Sequence, residues 1–163
     1  MISRGRLVPS VFLAWLVFLT IDFLAHATLL RSLWAQGHPA LKSESDLFRF
    51  IPFGYLSFLL LVLLLGWLYK GTVGSEGTVL KGLVFGAAFG GLFSLSTGLG
   101  WYSFLSLPLR FVTWTSLVYF IELTAVGMVF GVLLHPVSIK KRVWILLIFI
   151  FLGLVVAIVL QNL

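Results

Sequence analysis

Five long apolar runs constrain the fold of this sequence more than any other feature. The runs cover about residues 7–30, 51–69, 79–105, 111–134 and 143–160. A helix needs roughly 20 apolar residues to cross a bilayer, and each run has about that length. Hydrophobic residues make up 61% of the chain and charged residues 10%, which is too apolar a balance for a soluble domain. The sequence therefore predicts one all-α domain over residues 1–163, a polytopic membrane bundle with five transmembrane helices.

The connection between the first two runs is longer than the others. Within residues 31–50, Ser43 precedes Asp46 by three positions, and apolar residues follow. The pattern Ser-x-x-Asp is typical of a helix start, where acids interact favourably with the helix dipole. It predicts a short amphipathic helix at the membrane interface, with a solvated loop as the alternative. Pro52 indicates the start of the second span.

The basic residues divide unequally between the two ends of the runs. One side holds Arg4, Arg6, Lys70, Lys81, Lys140, Lys141 and Arg142, and the other holds Arg31, Lys42, Arg49 and Arg110. Loops rich in Lys and Arg stay in the cytoplasm. This predicts a multi-pass protein of the cell membrane with a cytoplasmic N-terminus and a C-terminus outside. The net charge of +6 then fits lipid headgroups better than nucleic acid.

An acid and an imidazole lie inside the first run, in the stretch TIDFLAHA at residues 20–27. At about 100° per residue, Asp22 and His26 share one helical face. An ionisable group within the bilayer costs roughly 2.5–3.5 kcal/mol on insertion scales, so this face should point at protein. For Asp22 the pattern favours a proton, ion or ligand site over a simple hydrogen bond to a neighbouring helix. For His26, near the end of the run, a place among the headgroups is favoured.

A second acid, Glu122, lies near the middle of the fourth run. Thr115, Tyr119 and Glu122 fall on one helical stripe. The depths of Asp22 and Glu122 differ by about one turn, so their carboxyl groups could meet if the first and fourth spans are neighbours. Two close acids in a low dielectric cannot both stay ionised, which predicts a proton-handling or cation site. Two separate acids, each with its own hydroxyl or backbone partner, are the alternative.

Glycines recur every four residues in the third run. They are Gly82, Gly86 and Gly90, and the fourth run repeats the spacing with Gly127 and Gly131. Small residues at this spacing let helix backbones approach closely. We therefore predict that these two helices pack together, with the first helix beside them. Ser94 and Thr97 continue the same side, and this packing would place them with Asp22, Tyr119 and Glu122 around one interior volume.

The remaining features are less specific. The fifth run has no polar residue before Gln161, so it is expected to face lipid or another hydrophobic subunit. Trp34 and Trp101 lie near segment ends, where aromatic residues commonly anchor a helix at the interface. No catalytic motif is found. Asp22, His26 and Glu122 could bind a metal, but the spacing lacks a further ligand, so metal and cofactor remain open.

Two functions follow from these observations. The first is transport or binding of a small solute, proton or ion at an intramembrane polar site. The second is a structural or assembly subunit that docks onto partner helices, or onto a second copy, through its glycine face and aliphatic fifth helix.

One stretch also suggests a family. The run VFLTIDFLAHATLLRSLW at residues 17–34, the connection after it and the glycine-rich third run resemble small bacterial inner-membrane protein families of unknown function. Those families have a four-helix core whose first helix carries Phe-Leu-x-Ile-Asp, matched here by residues 18–22. The resemblance covers roughly residues 11–134, and the fifth helix would be an addition. It implies a bacterial inner membrane and no mechanism.

Overall fold

The computed structural model describes residues 4–42, 44–74, 77–134 and 140–162. These residues form six helices and no strand. The helices are α1 (Arg4–Ala27), α2 (Arg31–Ala35), α3 (Glu44–Thr72), α4 (Val79–Phe104), α5 (Leu109–Leu133) and α6 (Lys140–Gln161). All except α2 are long and apolar enough to cross a membrane, in agreement with the five apolar runs.

The helix that contains the second candidate span starts several turns before the apolar run, whereas the span itself begins at Arg49, close to the predicted start. Helix α3 begins at Glu44 and continues through Pro52 to Thr72. The segment predicted as one interfacial helix is therefore divided between the short α2 and the first turns of α3, and Ser43 lies outside the described residues. In an apolar environment the backbone must satisfy its own polar groups. Continuing the helix therefore outweighs the single hydrogen bond that Pro52 cannot donate.

Helix α5 is the centre of the bundle. One of its sides packs along α4, while another contacts α1 and α3. Helix α1 packs in turn against α3 and α6. The first span thus lies beside α5, as predicted, but within the described residues it has no extensive contact with α4.

The predicted glycine face joins α4 to α5 with the two backbones in contact. A Cβ atom on Gly86 would lie 2.7 Å from the carbonyl oxygen of Leu123 and 2.8 Å from that of Thr124. Real Cβ atoms do not approach that closely, so any side chain at Gly86 would push the helices apart. The glycines at this interface are those of the predicted face: Gly82, Gly86, Gly90, Gly127 and Gly131.

Helix α6 docks within the chain, which corrects the expectation that it faces only lipid or another subunit. Ile150 and Ala157 are buried, and Gly153 between them lies against Thr20 of α1. Small residues on one face of α6 are what allow this contact. The other faces of the helix carry exposed aliphatic and aromatic side chains.

Arginine side chains tie both ends of α6 to the rest of the bundle. At its C-terminal end, Nη1 of Arg31 donates to the carbonyl oxygen of Leu160 at 3.1 Å. At its start, Nη1 of Arg142 donates to the carbonyl oxygen of Val132 at 3.0 Å. Both bonds satisfy a carbonyl near a helix C-terminus, where a positive charge is favourable.

Candidate functional site

A cavity of about 430 Å³ lies among α1, α3, α5 and the C-terminal end of α4. Helix α2 and the start of α3 border the cavity at one end of the bundle. Toward the opposite end the interior is filled by a hydrophobic core that includes Phe18, Val62, Leu65 and Leu123, all fully buried. The cavity therefore lies in the half of the bundle that carries α2 and the start of α3.

Asp22 lines this cavity and is 8% exposed. Its Oδ1 atom lies 3.4 Å from Nδ1 of His26. The same Nδ1 atom lies 2.9 Å from the carbonyl oxygen of Asp22, one turn back along the helix. His26 also lines the cavity, so the two polar residues of TIDFLAHA form one local pair that faces the protein interior.

Glu122 lies beside Asp22 and is fully buried. The two carboxyl groups are close enough to interact, as their depths along the two helices predict. In the described part of the chain, neither carboxyl oxygen of Glu122 has a hydrogen-bond partner of standard geometry. An acid pair in such apolar surroundings requires a shared proton or a positive ligand to offset its charge.

Thr115 and Tyr119 place further polar groups on the wall formed by α5. Thr115 is buried, and no hydrogen-bond partner for its Oγ1 atom is found among the described residues. Tyr119 lies near both acids. Its ring centroid is 6.2 Å from that of Phe58 on α3 and 6.0 Å from that of Trp101 on α4. Tyr119 therefore links three walls of the cavity.

Ser94 and Thr97 do not join this group. Ser94 is buried on the glycine face and lines a separate groove of about 720 Å³ between α4 and α5. Thr97 is partly buried and lines neither space. The reason is that α1 and the glycine face of α4 contact different sides of α5. The interior volume predicted to include both residues is therefore smaller than expected and lacks them.

The walls of the cavity are rich in aromatic residues, which the sequence did not indicate. Besides Tyr119, they include Trp34, Phe50, Tyr55, Phe58, Trp101 and Phe111. Tyr55 lies near Asp22, and its carbonyl oxygen accepts a 3.1 Å hydrogen bond from Nε1 of Trp15. In sequence, an aromatic residue near a span end looks the same whether it anchors the helix or faces inward. The available signal was therefore ambiguous.

Trp34 of α2 partly covers the cavity. Its ring centroid lies 5.6 Å from that of His26 and 5.2 Å from that of Phe111. Leu30 and Leu33 beside it are buried in a small hydrophobic cluster against α5, which holds α2 in place. The Nε1 atom of Trp34 is buried, and the described residues offer it no acceptor.

Known proteins do not assign this site. No protein-family model matches the chain, and neither a curated protein nor a solved structure matches it. The resemblance to small bacterial inner-membrane proteins therefore stays a prediction. The function has to be argued from the cavity itself.

The side chains around the cavity do not form a metal site. Among the described residues, no three or more His, Cys, Asp or Glu side chains are grouped so that they could hold a metal ion. Asp22, His26 and Glu122 thus share a region without converging on one point. The chemistry available here is hydrogen bonding, proton sharing, attraction of positive charge and contact with aromatic rings.

Proposed function

We propose that this chain is a multi-pass membrane protein that binds a small solute in the cavity among α1, α3 and α5. The observation that carries the proposal is a cavity lined by Trp34 and Thr115, whose buried polar atoms have no partner among the described residues. Its volume of about 430 Å³ lies at the lower end of the range for small-molecule sites, roughly 300–1,000 Å³. The five apolar helices support the placement in a membrane.

Unpartnered buried groups are costly, which is why they favour a ligand site. Nε1 of Trp34 and Oγ1 of Thr115 belong to residues that line the cavity, and each lacks a hydrogen-bond partner within the described ranges. A buried polar group left unsatisfied costs about 1–3 kcal/mol. Apolar side chains of similar size would fill these positions at lower cost. A solute that bonds to these atoms would offset that cost.

The direction of entry follows from the orientation. The cavity lies near the end of the bundle that carries α2 and the start of α3. The lower count of basic residues assigns this end to the outside of a bacterial inner membrane. The solute would therefore enter from outside, and the hydrophobic core around Phe18 and Leu65 would close the path to the cytoplasm.

The orientation can be tested by labelling, because the chain has no native cysteine. Single cysteines at Lys42, Gly71 and Ser106 would lie at alternate ends of the bundle. We expect a membrane-impermeant thiol reagent applied to intact cells to label Lys42→Cys and Ser106→Cys but not Gly71→Cys. The reverse pattern would place the cavity mouth in the cytoplasm.

Solute binding can be tested by filling the cavity. Gly54 lines it, and a Cβ atom at Gly54 would meet no atom within 4 Å. Gly54→Leu should therefore fold normally and occupy part of the binding volume. Gly100 has equally open surroundings and does not line the cavity, so Gly100→Leu is the matched control.

The assay is a thermal-shift screen of the purified protein against a chemically diverse set of small molecules. Compounds that stabilise the original chain should stop doing so in Gly54→Leu and continue to do so in Gly100→Leu. Equal stabilisation of both variants would place binding elsewhere. If no compound stabilises the original chain, the proposal fails.

A role as an assembly subunit is the second candidate, and the exposed side of α6 favours it. That side includes Trp144, Ile145, Ile148, Phe151, Leu152 and Val159. The glycine face packs against α5 inside the chain, so a partner would have to meet α6 or α3 instead. A larger particle mass than one chain, measured in lipid nanodiscs and reduced by Leu152→Ser, would support this role.

A further inference from the structure

An acid pair lies at one wall of the cavity. Asp22 lines the cavity, the carboxyl group of Glu122 interacts with that of Asp22, and the lining contains no Lys or Arg. Basic side chains do occur outside it: Nζ of Lys42 lies 4.3 Å from the ring centroid of Phe50, at the rim. A positive group in the cavity would therefore stabilise the carboxylate of Asp22, whereas an anionic solute would be repelled by it.

Aromatic rings from several helices line the same cavity as Asp22. Tyr55 and Phe58 come from α3, Trp101 from α4, Tyr119 from α5 and Trp34 from α2. The face of an aromatic ring is negative and attracts cations, most strongly in Trp and Tyr. Sites for quaternary and substituted ammonium groups combine such rings with an acid. A spherical inorganic ion gains less here, because it needs six or more oxygen ligands at short range.

From these contacts we infer that the solute carries an ammonium group, which sits among the rings with its charge facing Asp22. The inference rests on the proposed binding function and specifies its ligand class. Thr115, whose buried hydroxyl lines the cavity without a partner among the described residues, is placed to bond a donor or acceptor next to the ammonium group. A bare proton would need neither the volume nor the aromatic walls.

Two sources can supply such a group, a free amine or the headgroup of a lipid. Both would place the same ammonium group against the same residues. A free amine would bind in detergent solution, whereas a headgroup would enter with its acyl chains still in the bilayer. The experiment therefore has one arm for each source.

The first arm measures binding of choline, and of dimethylbutanol, its uncharged carbon isostere, to the purified full chain in non-ionic detergent. Intrinsic fluorescence is a suitable signal, since Trp34 and Trp101 both line the cavity. We expect choline to bind at least about tenfold more tightly than the isostere. Asp22→Asn and Tyr55→Leu should each weaken choline binding by about tenfold. Ser94→Ala, outside the cavity, should leave it unchanged.

The second arm uses nanodiscs that contain phosphatidylcholine or phosphatidylglycerol and measures lipid retention by native mass spectrometry. Selective retention of phosphatidylcholine, lost in Asp22→Asn, would identify a headgroup as the source. Choline binding without lipid selectivity would identify a free amine. Either result supports the ammonium assignment.

Other outcomes would overturn it. If the uncharged isostere binds as tightly as choline, or if Asp22→Asn retains full affinity, the ligand is not recognised by its charge. If a neutral compound then binds and Gly54→Leu blocks that binding, the result supports the solute-binding function and contradicts only the ammonium assignment. If nothing binds in either arm and no compound stabilises the chain, both proposals fail.

Discussion

The two sides of α5 differ in how they contact the neighbouring helices. Toward α4, Gly127 and Gly131 meet the glycines of α4 with backbone atoms in contact. Toward α1 and α3, Thr115 and Tyr119 line a cavity, and Glu122 is buried beside Asp22. Small residues give close packing and stability, whereas larger polar residues leave unsatisfied atoms. The difference indicates that one side of α5 holds the bundle together, while the other side lines the proposed binding cavity.

The largest expected effect comes from breaking the packed side. In Gly86→Leu the new side chain would collide with the backbone of α5, whose carbonyl oxygens lie under 3 Å from the Cβ position. We expect the free energy of unfolding in mixed SDS micelles to fall by about 3 kcal/mol or more, since overpacking usually costs about 1–3 kcal/mol even against mobile side chains. Gly100→Leu on the same helix has open space and should change it little. Equal tolerance of both would mean that the two helices separate easily.

A smaller effect of opposite sign is expected on the cavity side. Glu122→Met replaces a fully buried acid, which interacts with Asp22, with an apolar side chain of similar size. We expect the free energy of unfolding to rise by about 1–3 kcal/mol, because the cost of burying a second carboxyl group beside Asp22 is removed. Solute binding should be lost at the same time. A loss of stability instead would show that Glu122 is held by bonds that the fold requires.

The smallest effects come from removing single hydroxyl groups on the two sides. Thr115 and Ser94 are both buried, and neither hydroxyl has a partner among the described residues. Thr115→Val and Ser94→Ala should each change the free energy of unfolding by less than about 1 kcal/mol. Only Thr115→Val should weaken solute binding, measured by the same titration. If Ser94→Ala weakened binding equally, the groove between α4 and α5 would have to be part of the site.

Local spacing in the sequence predicted much of the fold. The lengths of the five apolar runs predicted the five long helices. The glycines at four-residue spacing predicted the contact between α4 and α5. The meeting of Asp22 and Glu122 followed from their depths along two helices. These features depend on periodicity within one helix, which is readable from sequence.

The remaining features depend on which helices are neighbours. Ser94 was grouped with Asp22 because both point inward, but α5 separates them. The docking of α6 was missed because Gly153 gives a weak signal inside an aliphatic run. Tyr55 and Trp101 reach the site from other helices, and nothing in their local sequence distinguishes an inward ring from one at the interface. Side-chain chemistry predicted the acids of the site better than its walls.

The burial of Asp22 against Glu122 has a consequence for the synthesis of the protein. The two acids are one hundred residues apart in the chain. At about 5–20 residues per second, Asp22 is made roughly 5–20 seconds before its partner helix exists. In the first part of that interval, before Tyr55 of α3 is made, the titratable side chain near the acid is His26, on the same helix and 3.4 Å away. We expect the His26 side chain to interact with the carboxyl group of Asp22 during insertion and so to lower the cost of placing that acid in the membrane. His26→Ala should therefore lower the fraction of newly made chain that enters the membrane. Pulse-labelling would measure that fraction. An unchanged fraction would show that His26 is not required for insertion and that the translocation machinery keeps Asp22 away from lipid until α5 is made.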